Sequence, residues 1–149
     1  MEQRKISLDE VRAMVRTAHA GQVDKLGRDY AAAHLEPIAE SLKTHGEDAE
    51  MAGLLHDVLE DTSVTSEELL RAGVPPHVVR AVESVSKRPG ESYDDLIERA
   101  AADPLGRLVK LADNALNLES NDALAETDPE TATRLREKYE RARTRLLET

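Results

Sequence analysis

An all-α single domain is what this 149-residue sequence predicts, and three observations predict it. Capping signals recur along the chain ahead of apolar residues spaced three and four apart, and alternating strand patterns are missing. There is no phenylalanine or tryptophan and there are only three tyrosines. The core must therefore be aliphatic, which suits packed helices better than stacked sheets. The length matches one hydrophobic core, without an internal repeat, a linker or a low-complexity tail.

The elements follow in order. Ser7-Leu8-Asp9-Glu10 is a capping box that opens a helix with Leu8, Val11, Val15 and Ala18 on one face, and Gly21 ends or closely follows it. The loop GQVDKLGRD leads to a second helical segment from about Tyr30 to Lys43, with Pro37 inside it or at its true start. A third runs from about Glu47 to Glu60. Thr65-Ser66-Glu67-Glu68 is another capping box, for a short helix that Gly73 stops. Pro75-Pro76 starts a helix carrying Val78, Val79, Val82 and Val85, and Lys87 to Gly90 is a turn. Another helix covers roughly Ser92 to Ala102. Asp103-Pro104 supplies an N-cap and a first-turn proline for a segment reaching Leu118. The last helix, about Asp128 to Leu147, is heavily charged with a thin stripe of Tyr139, Ala142 and Leu146. It either covers the core or pairs with another subunit, so a homo-oligomer is open.

Composition narrows the function. A net charge of −10 argues against nucleic-acid binding, which depends on cations neutralising phosphates. It leaves room for a small anionic ligand if a divalent cation reverses the local field. The absence of cysteine excludes disulfides and thiolate metal sites and favours a reducing compartment. No apolar run reaches the roughly 18 residues of a membrane span, and MEQRKISLDE lacks a signal-peptide core. A cytoplasmic protein without membrane contact is expected.

The chemistry concentrates in LLHDVLEDT, residues 54–62. Leu54, Leu55, Val58 and Leu59 make an apolar stripe, and His56, Asp57, Glu60 and Asp61 crowd the other side, where like charges at helical spacing repel. His56 and Asp57 can offer a metal one nitrogen and one oxygen, with Glu60 and Asp61 one turn further on. A solvated acidic helix end is the plainer alternative. His19, in AHAGQ, is a candidate ligand or a helix-end histidine favoured by the dipole, and His34 is equally ambiguous. Asp113, in the apolar run VKLADNALNL, needs a partner, because burying a lone carboxylate is costly. Lys110 and Asn114 are possible partners, and a metal is another. His19, His56, Asp57 and Asp113 together would give a nitrogen and oxygen set suited to Mn²⁺, Fe²⁺, Co²⁺ or Zn²⁺.

The segments AHAGQVDKLGRDYAAAH, GLLHDVLEDTSVT and VKLADNALNL, in this order, resemble the HD-domain metal-dependent phosphohydrolases, and among them the stand-alone alarmone hydrolases of the RelA/SpoT type. The resemblance spans roughly residues 8 to 120. It implies a compact helical bundle of the HD type, with metal ligation by His19, His56, Asp57 and Asp113. Glu60 and Asp61 would position or activate the attacking water. It further implies Mn²⁺ as cofactor and release of pyrophosphate from the 3′ position of ppGpp or pppGpp. Lys25, Tyr30 and Asn117 would contact this substrate, with His34 supporting the site.

Departures from the pattern fall in the substrate wall. Val23-Asp24 replaces a basic pair, Asp29-Tyr30 a proline-tyrosine pair, and Asn114 an arginine or lysine; the chain also reads HLEP where the proline normally follows the histidine, and Leu116 stands where histidine or tyrosine is common. They keep open a phosphohydrolase for another nucleotide, a nucleoside monophosphate or a dinucleotide cofactor. A non-catalytic helical module is the rival outside the enzymes.

Overall fold

Caps and prolines place the helix starts much as expected. A computed structural model of the chain describes residues 4–148. Helix α1 (Leu8–Ala18) opens on the reciprocal Ser7 and Glu10 capping box. A π-helical turn, Ala31–Leu35, runs directly into α2 (Glu36–Leu42) and a closing 3₁₀ turn, Lys43–His45. Then come α3 (Glu47–Leu55), the one-turn α4 (Val58–Asp61), α5 (Ser66–Ala72), α6 (Pro76–Ser84), α7 (Tyr93–Ala102), α8 (Pro104–Leu124) and α9 (Pro129–Leu147). Among the described residues the β-type pairing is one isolated bridge, Val23 to Asp29, which closes the loop after α1.

Helix α3 runs through the middle of the bundle. Every residue from Ala49 to Leu55 is buried, and α1, α2, α6 and α8 all pack against it. Gly53 makes the closest of these approaches possible. A Cβ there would lie 2.8 Å from Leu42 Cδ1 and 3.4 Å from the Ala39 Cα, so α2 would have to withdraw. Gly73 has a different task. Its φ of 103° ends α5, and a Cβ would meet the Arg4 carbonyl oxygen at 2.3 Å, where Ile6 N–H donates to the Gly73 carbonyl at 3.0 Å. Glycine is required both by the left-handed backbone and by this contact.

Three features depart from the sequence expectation. The second segment starts near Tyr30 with Pro37 inside it, one of the two placements expected, but it opens as a π turn, with Glu36 N–H bonded to the Ala31 carbonyl. Pro37 cannot donate to the Ala33 carbonyl, so the ladder upstream is already disturbed. The third segment is two helices, because His56 Nδ1 takes the Gly53 carbonyl at 2.6 Å and Asp57 adopts φ −103°, ψ 0°, outside the helical basin. Helix α8 runs on to Leu124 rather than stopping at Leu118. Asn114 and Asn121, both buried, donate to the backbone carbonyls of Tyr139 and Ala132 at 2.8 and 2.7 Å and so hold α9 along it. Helix α9 covers the core with Ala132, Tyr139, Ala142 and Leu146.

Candidate metal and phosphate site

The break between α3 and α4 creates the site. On a continuous helix His56 and Asp57 would point about 100° apart. Here His56 Nε2 and Asp57 Oδ2 lie 3.1 Å apart. The π turn brings a second histidine, with His34 Nε2 3.3 Å from His56 Nε2 and 3.6 Å from Asp57 Oδ2. Asp113 completes the group from the middle of α8, its Oδ1 2.9 Å from His34 Nε2 and 3.6 Å from His56 Nε2. His34, His56 and Asp57 thus form one group of ligand atoms, and Asp113 reaches its two imidazoles from α8.

Their spacing fits a metal. Donors at 2.0–2.2 Å from an ion in tetrahedral or octahedral array lie about 3.0–3.5 Å from one another, close to the separations found. The His56 tautomer fits as well. The Gly53 carbonyl can only accept, so Nδ1 carries a proton and Nε2 faces the cluster.

Electrostatics make the same demand for positive charge. Burial disfavours ionised Asp113, yet the Lys110 ammonium, 3.2 Å from Oδ2, and the two histidines hold its carboxyl well below the usual range. Burial likewise opposes the Asp57 charge, and His56 overcomes it. His56 is pushed in the opposite sense. Burial would lower it, but Asp57 and Asp113 raise it well above an ordinary imidazole. Protons or a divalent ion can answer these carboxylates, and an ion displaces the protons.

The ring of Tyr30 stacks on His34 with centroids 4.9 Å apart, and its hydroxyl donates to Asp57 Oδ2. Asn117 Nδ2 donates to Asp113 Oδ1 at 3.3 Å. Glu60 and Asp61 are exposed on α4, and each has a carboxylate oxygen within 4.8 Å of one on Asp57. The Lys87 N–H holds one Glu60 oxygen at 2.6 Å. Asp61 is held above the usual carboxylate range by partial burial, then by Asp57 and Glu60. All of these side chains except His56 line a pocket of about 320 Å³, which Lys25, Lys110 and Tyr139 share.

His19 is placed elsewhere. Among the described residues it belongs to no group of ligand atoms within 4.8 Å of one another, whereas His34, expected as a supporting residue, does. His19 is 2% exposed, with its ring 5.6 Å from that of Tyr30. Its Nδ1 meets Gln22 Oε1 at 2.8 Å, and Gln22 Nε2 donates to the Asp61 carbonyl at 3.0 Å. The carbonyl fixes the amide orientation, so Nδ1 of His19 must be the donor. The pair ties the end of α1 to the end of α4. Sequence reasoning passed over Gln22, although its position one turn after His19 was a signal. The sequence marks Lys110 as an ion-pair partner and not as a pocket residue, and the pocket contribution of Tyr139 has no sequence signal, since α9 folds back from far along the chain.

The HD domain family matches residues 30–118, a range that contains His34, His56, Asp57 and Asp113 and leaves out His19, Lys25 and α9. The chain is 35% identical over 123 residues to the GTP pyrophosphokinase of Myxococcus xanthus, which covers 72% of this chain and 16% of that protein. It is 36% identical over 112 residues, 68% of the chain, to the guanosine-3′,5′-bis(diphosphate) 3′-pyrophosphohydrolase of Aquifex aeolicus, again 16% of that protein. This chain therefore spans about a sixth of the curated relatives it matches. A solved structure of a metazoan ortholog of SpoT, described as hydrolysing ppGpp and acting in starvation responses, superposes with a TM-score of 0.67. Its identity is 27%, over 81% of this chain and 74% of that one.

Proposed function

The chain belongs to the HD-domain family, and from that premise we propose that it is a metal-dependent phosphohydrolase that removes pyrophosphate from the 3′ position of ppGpp or pppGpp. The observation that carries the reading is the clustering of His34, His56 and Asp57, with Asp113 on the two imidazoles, beside the acids Glu60 and Asp61 and a pocket that Lys25 lines. The similarity to a 3′-pyrophosphohydrolase and to a ppGpp-hydrolysing SpoT ortholog supports the substrate.

In this reading His34, His56, Asp57 and Asp113 hold a divalent ion, with Mn²⁺ the first choice for two imidazoles and two carboxylates. The bound ion supplies Lewis-acid polarisation of a phosphate oxygen and makes water more acidic. The chain's own groups do the rest. Carboxylate oxygens of Glu60 and Asp61 orient the attacking water and accept its proton. Lys87 N–H keeps Glu60 turned toward the pocket. Tyr30 holds Asp57, and Lys110 and Asn117 hold Asp113, so the donor set is oriented before substrate arrives. Lys25 contributes positive charge against the phosphates. Attack on phosphorus breaks its bond to the 3′-oxygen, which takes a proton as pyrophosphate leaves.

A second reading, hydrolysis of another nucleotide, rests on the loop before Tyr30. Where the resemblance calls for a basic residue, Asp24 accepts from the Leu26 and Arg28 N–H groups and pairs with the Arg28 guanidinium at 2.7 Å. Arg28 is thereby neutralised, and the loop presents less positive charge. Incubation with Mn²⁺ and ppGpp, pppGpp, GTP, AMP and NADPH separates the readings. Pyrophosphate from ppGpp, lost in Asp57→Ala, is the expected result. Orthophosphate from a different nucleotide would replace the substrate and keep the metal chemistry.

A further inference from the structure

Glu60 is exposed on a one-turn helix, where a long side chain keeps its rotamer freedom unless something outside the helix holds it. The bond it accepts from Lys87 N–H at 2.6 Å comes from an equally exposed loop between α6 and α7, so that loop must be held in turn. Arg99 on α7 holds it. Its guanidinium donates through Nη1 to the Glu83 carbonyl at 2.5 Å and through Nη2 to the Ser86 carbonyl at 2.8 Å. Glu91 grips the same guanidinium from the far end of the loop, with Oε1 2.5 Å from Nη2 and Oε2 3.2 Å from Nε. Glu91 Oε1 also accepts from Arg88 N–H at 3.0 Å, and Glu91 N–H donates to the Arg88 carbonyl at 3.1 Å. The turn Arg88-Pro89-Gly90-Glu91, with a Pro-Gly centre that signals a turn in the sequence, thus folds its last residue back onto Arg99.

An arginine near a helix end can serve only to satisfy carbonyls there, and the bond to Glu83, a residue of α6, fits that use. The bond to Ser86 goes further. Ser86 C=O and Lys87 N–H belong to one peptide unit, which is planar and trans. In such a unit the two groups point in opposite directions. Fixing the carbonyl on the guanidinium therefore aims the N–H at Glu60 from the other edge, and a hydrogen bond at one end of a peptide strengthens the donor at the other. A single peptide joins a half-buried cation to an acid that lines the pocket.

We propose that Arg99 is a positioning residue for Glu60, acting through the Ser86–Lys87 peptide, with Glu91 holding Arg99 in place. The proposal rests on the phosphohydrolase reading, in which Glu60 orients the attacking water. Neither Arg99 nor Glu91 lines the pocket, so Arg99 reaches the reaction through Glu60 and not through substrate.

The test pairs hydrogen exchange at the Lys87 amide, followed by NMR, with ppGpp kinetics of the full chain carrying Arg99→Gln, Glu60→Gln or both, and Glu60→Ala as the exchange control. Lys87 N–H should exchange about 10-fold faster in Glu60→Ala, where its acceptor is gone, and by a similar factor in Arg99→Gln. Exchange unchanged in either variant overturns the proposal. Turnover should fall about 10-fold in Arg99→Gln, with KM within about 2-fold of wild type and metal content unchanged. In the Glu60→Gln background the same substitution should lower kcat by less than about 2-fold, because the group it positions is already lost. The same loss repeated in that background would make Arg99 a structural brace alone and overturn the proposal equally. Should Arg99→Gln not fold, Glu91→Gln loosens the guanidinium without removing it and should give the same pattern at smaller size. If the wild-type chain hydrolyses no ppGpp, the reaction assigned above falls, while Lys87 exchange still decides whether Arg99 holds Glu60.

Discussion

Two groups of charged side chains are withdrawn from water in this protein, and they differ in where their lone pairs point. Arg12 on α1 donates to Glu50 on α3 at 2.7 Å and to Glu36 on α2 at 3.3 Å. There a cation lies between the acids, and the guanidinium fork is spent on tying three helices together. Around His34, His56, Asp57 and Asp113 two imidazole nitrogens and two carboxylates lie within 3.6 Å of a neighbour in the group. Buried charge by itself does not mark a functional site. Nitrogen and carboxylate ligand atoms brought together from separate segments do, because burial of such a group is costly unless positive charge lies close to it.

The largest effect should come from breaking the convergent group. His34→Ala or Asp113→Ala should lower turnover by at least about 10³-fold, close to 4 kcal/mol of transition-state stabilisation, and should lose bound metal by elemental analysis. His19→Ala should keep its metal. Equal metal loss in His19→Ala and His34→Ala would erase the distinction drawn between these two histidines.

Arg12→Ala sharpens the same comparison from the other side. Removing the cation leaves the Glu50 carboxylate, 9% exposed, without its main partner. The cost should be about 2–3 kcal/mol, less than the roughly 3–5 of a fully buried pair because Arg12 is 22% exposed. The melting midpoint should fall by about 5–10 °C, while kcat per folded molecule stays as in wild type. A lost activity with an unchanged midpoint would reverse the roles assigned to the two groups.

Gln22→Ala should fall between these outcomes in kind and below them in size. Without the amide, the Asp61 carbonyl loses its bond from the loop after α1, and kcat should drop about 5- to 10-fold, near 1 kcal/mol, with KM and metal content unaffected. A KM change without a kcat change would argue that Gln22 acts on substrate binding instead.

The smallest effect belongs to a surface pair. Asp48 is opposed by partial burial but stabilised as a carboxylate by Lys5 at 3.0 Å and His77 at 2.6 Å, so its pKa lies below the usual value. A lowered folded-state pKa contributes stability that is full above the unfolded-state value and is lost as pH falls through the folded-state value. Melting midpoints of His77→Ala and wild type should therefore differ slightly above the carboxylate range and converge in acid. Exposure and salt keep this contribution small, and a gap that widens in acid would contradict the sign.

The local sequence determined the helices. Ser7 with Glu10, Thr65 with Glu68, and Asp103 before Pro104 are caps whose partners lie within three residues, so no distant contact is needed to read them. The HD dipeptide and its two following acids were legible for the same reason, and the aliphatic composition already favoured helix-on-helix packing. Tertiary structure decided what those residues face. His34 rather than His19 joins the donors because a π turn before Pro37 and the close α2–α3 approach at Gly53 set its direction, and a direction in space cannot be read from spacing along the chain. Asn114, which stands where a cation was expected, is turned inward to the Tyr139 carbonyl, and that contact exists only once α9 has folded back. The same return of α9 brings the Tyr139 hydroxyl to Lys25, more than a hundred residues away in sequence.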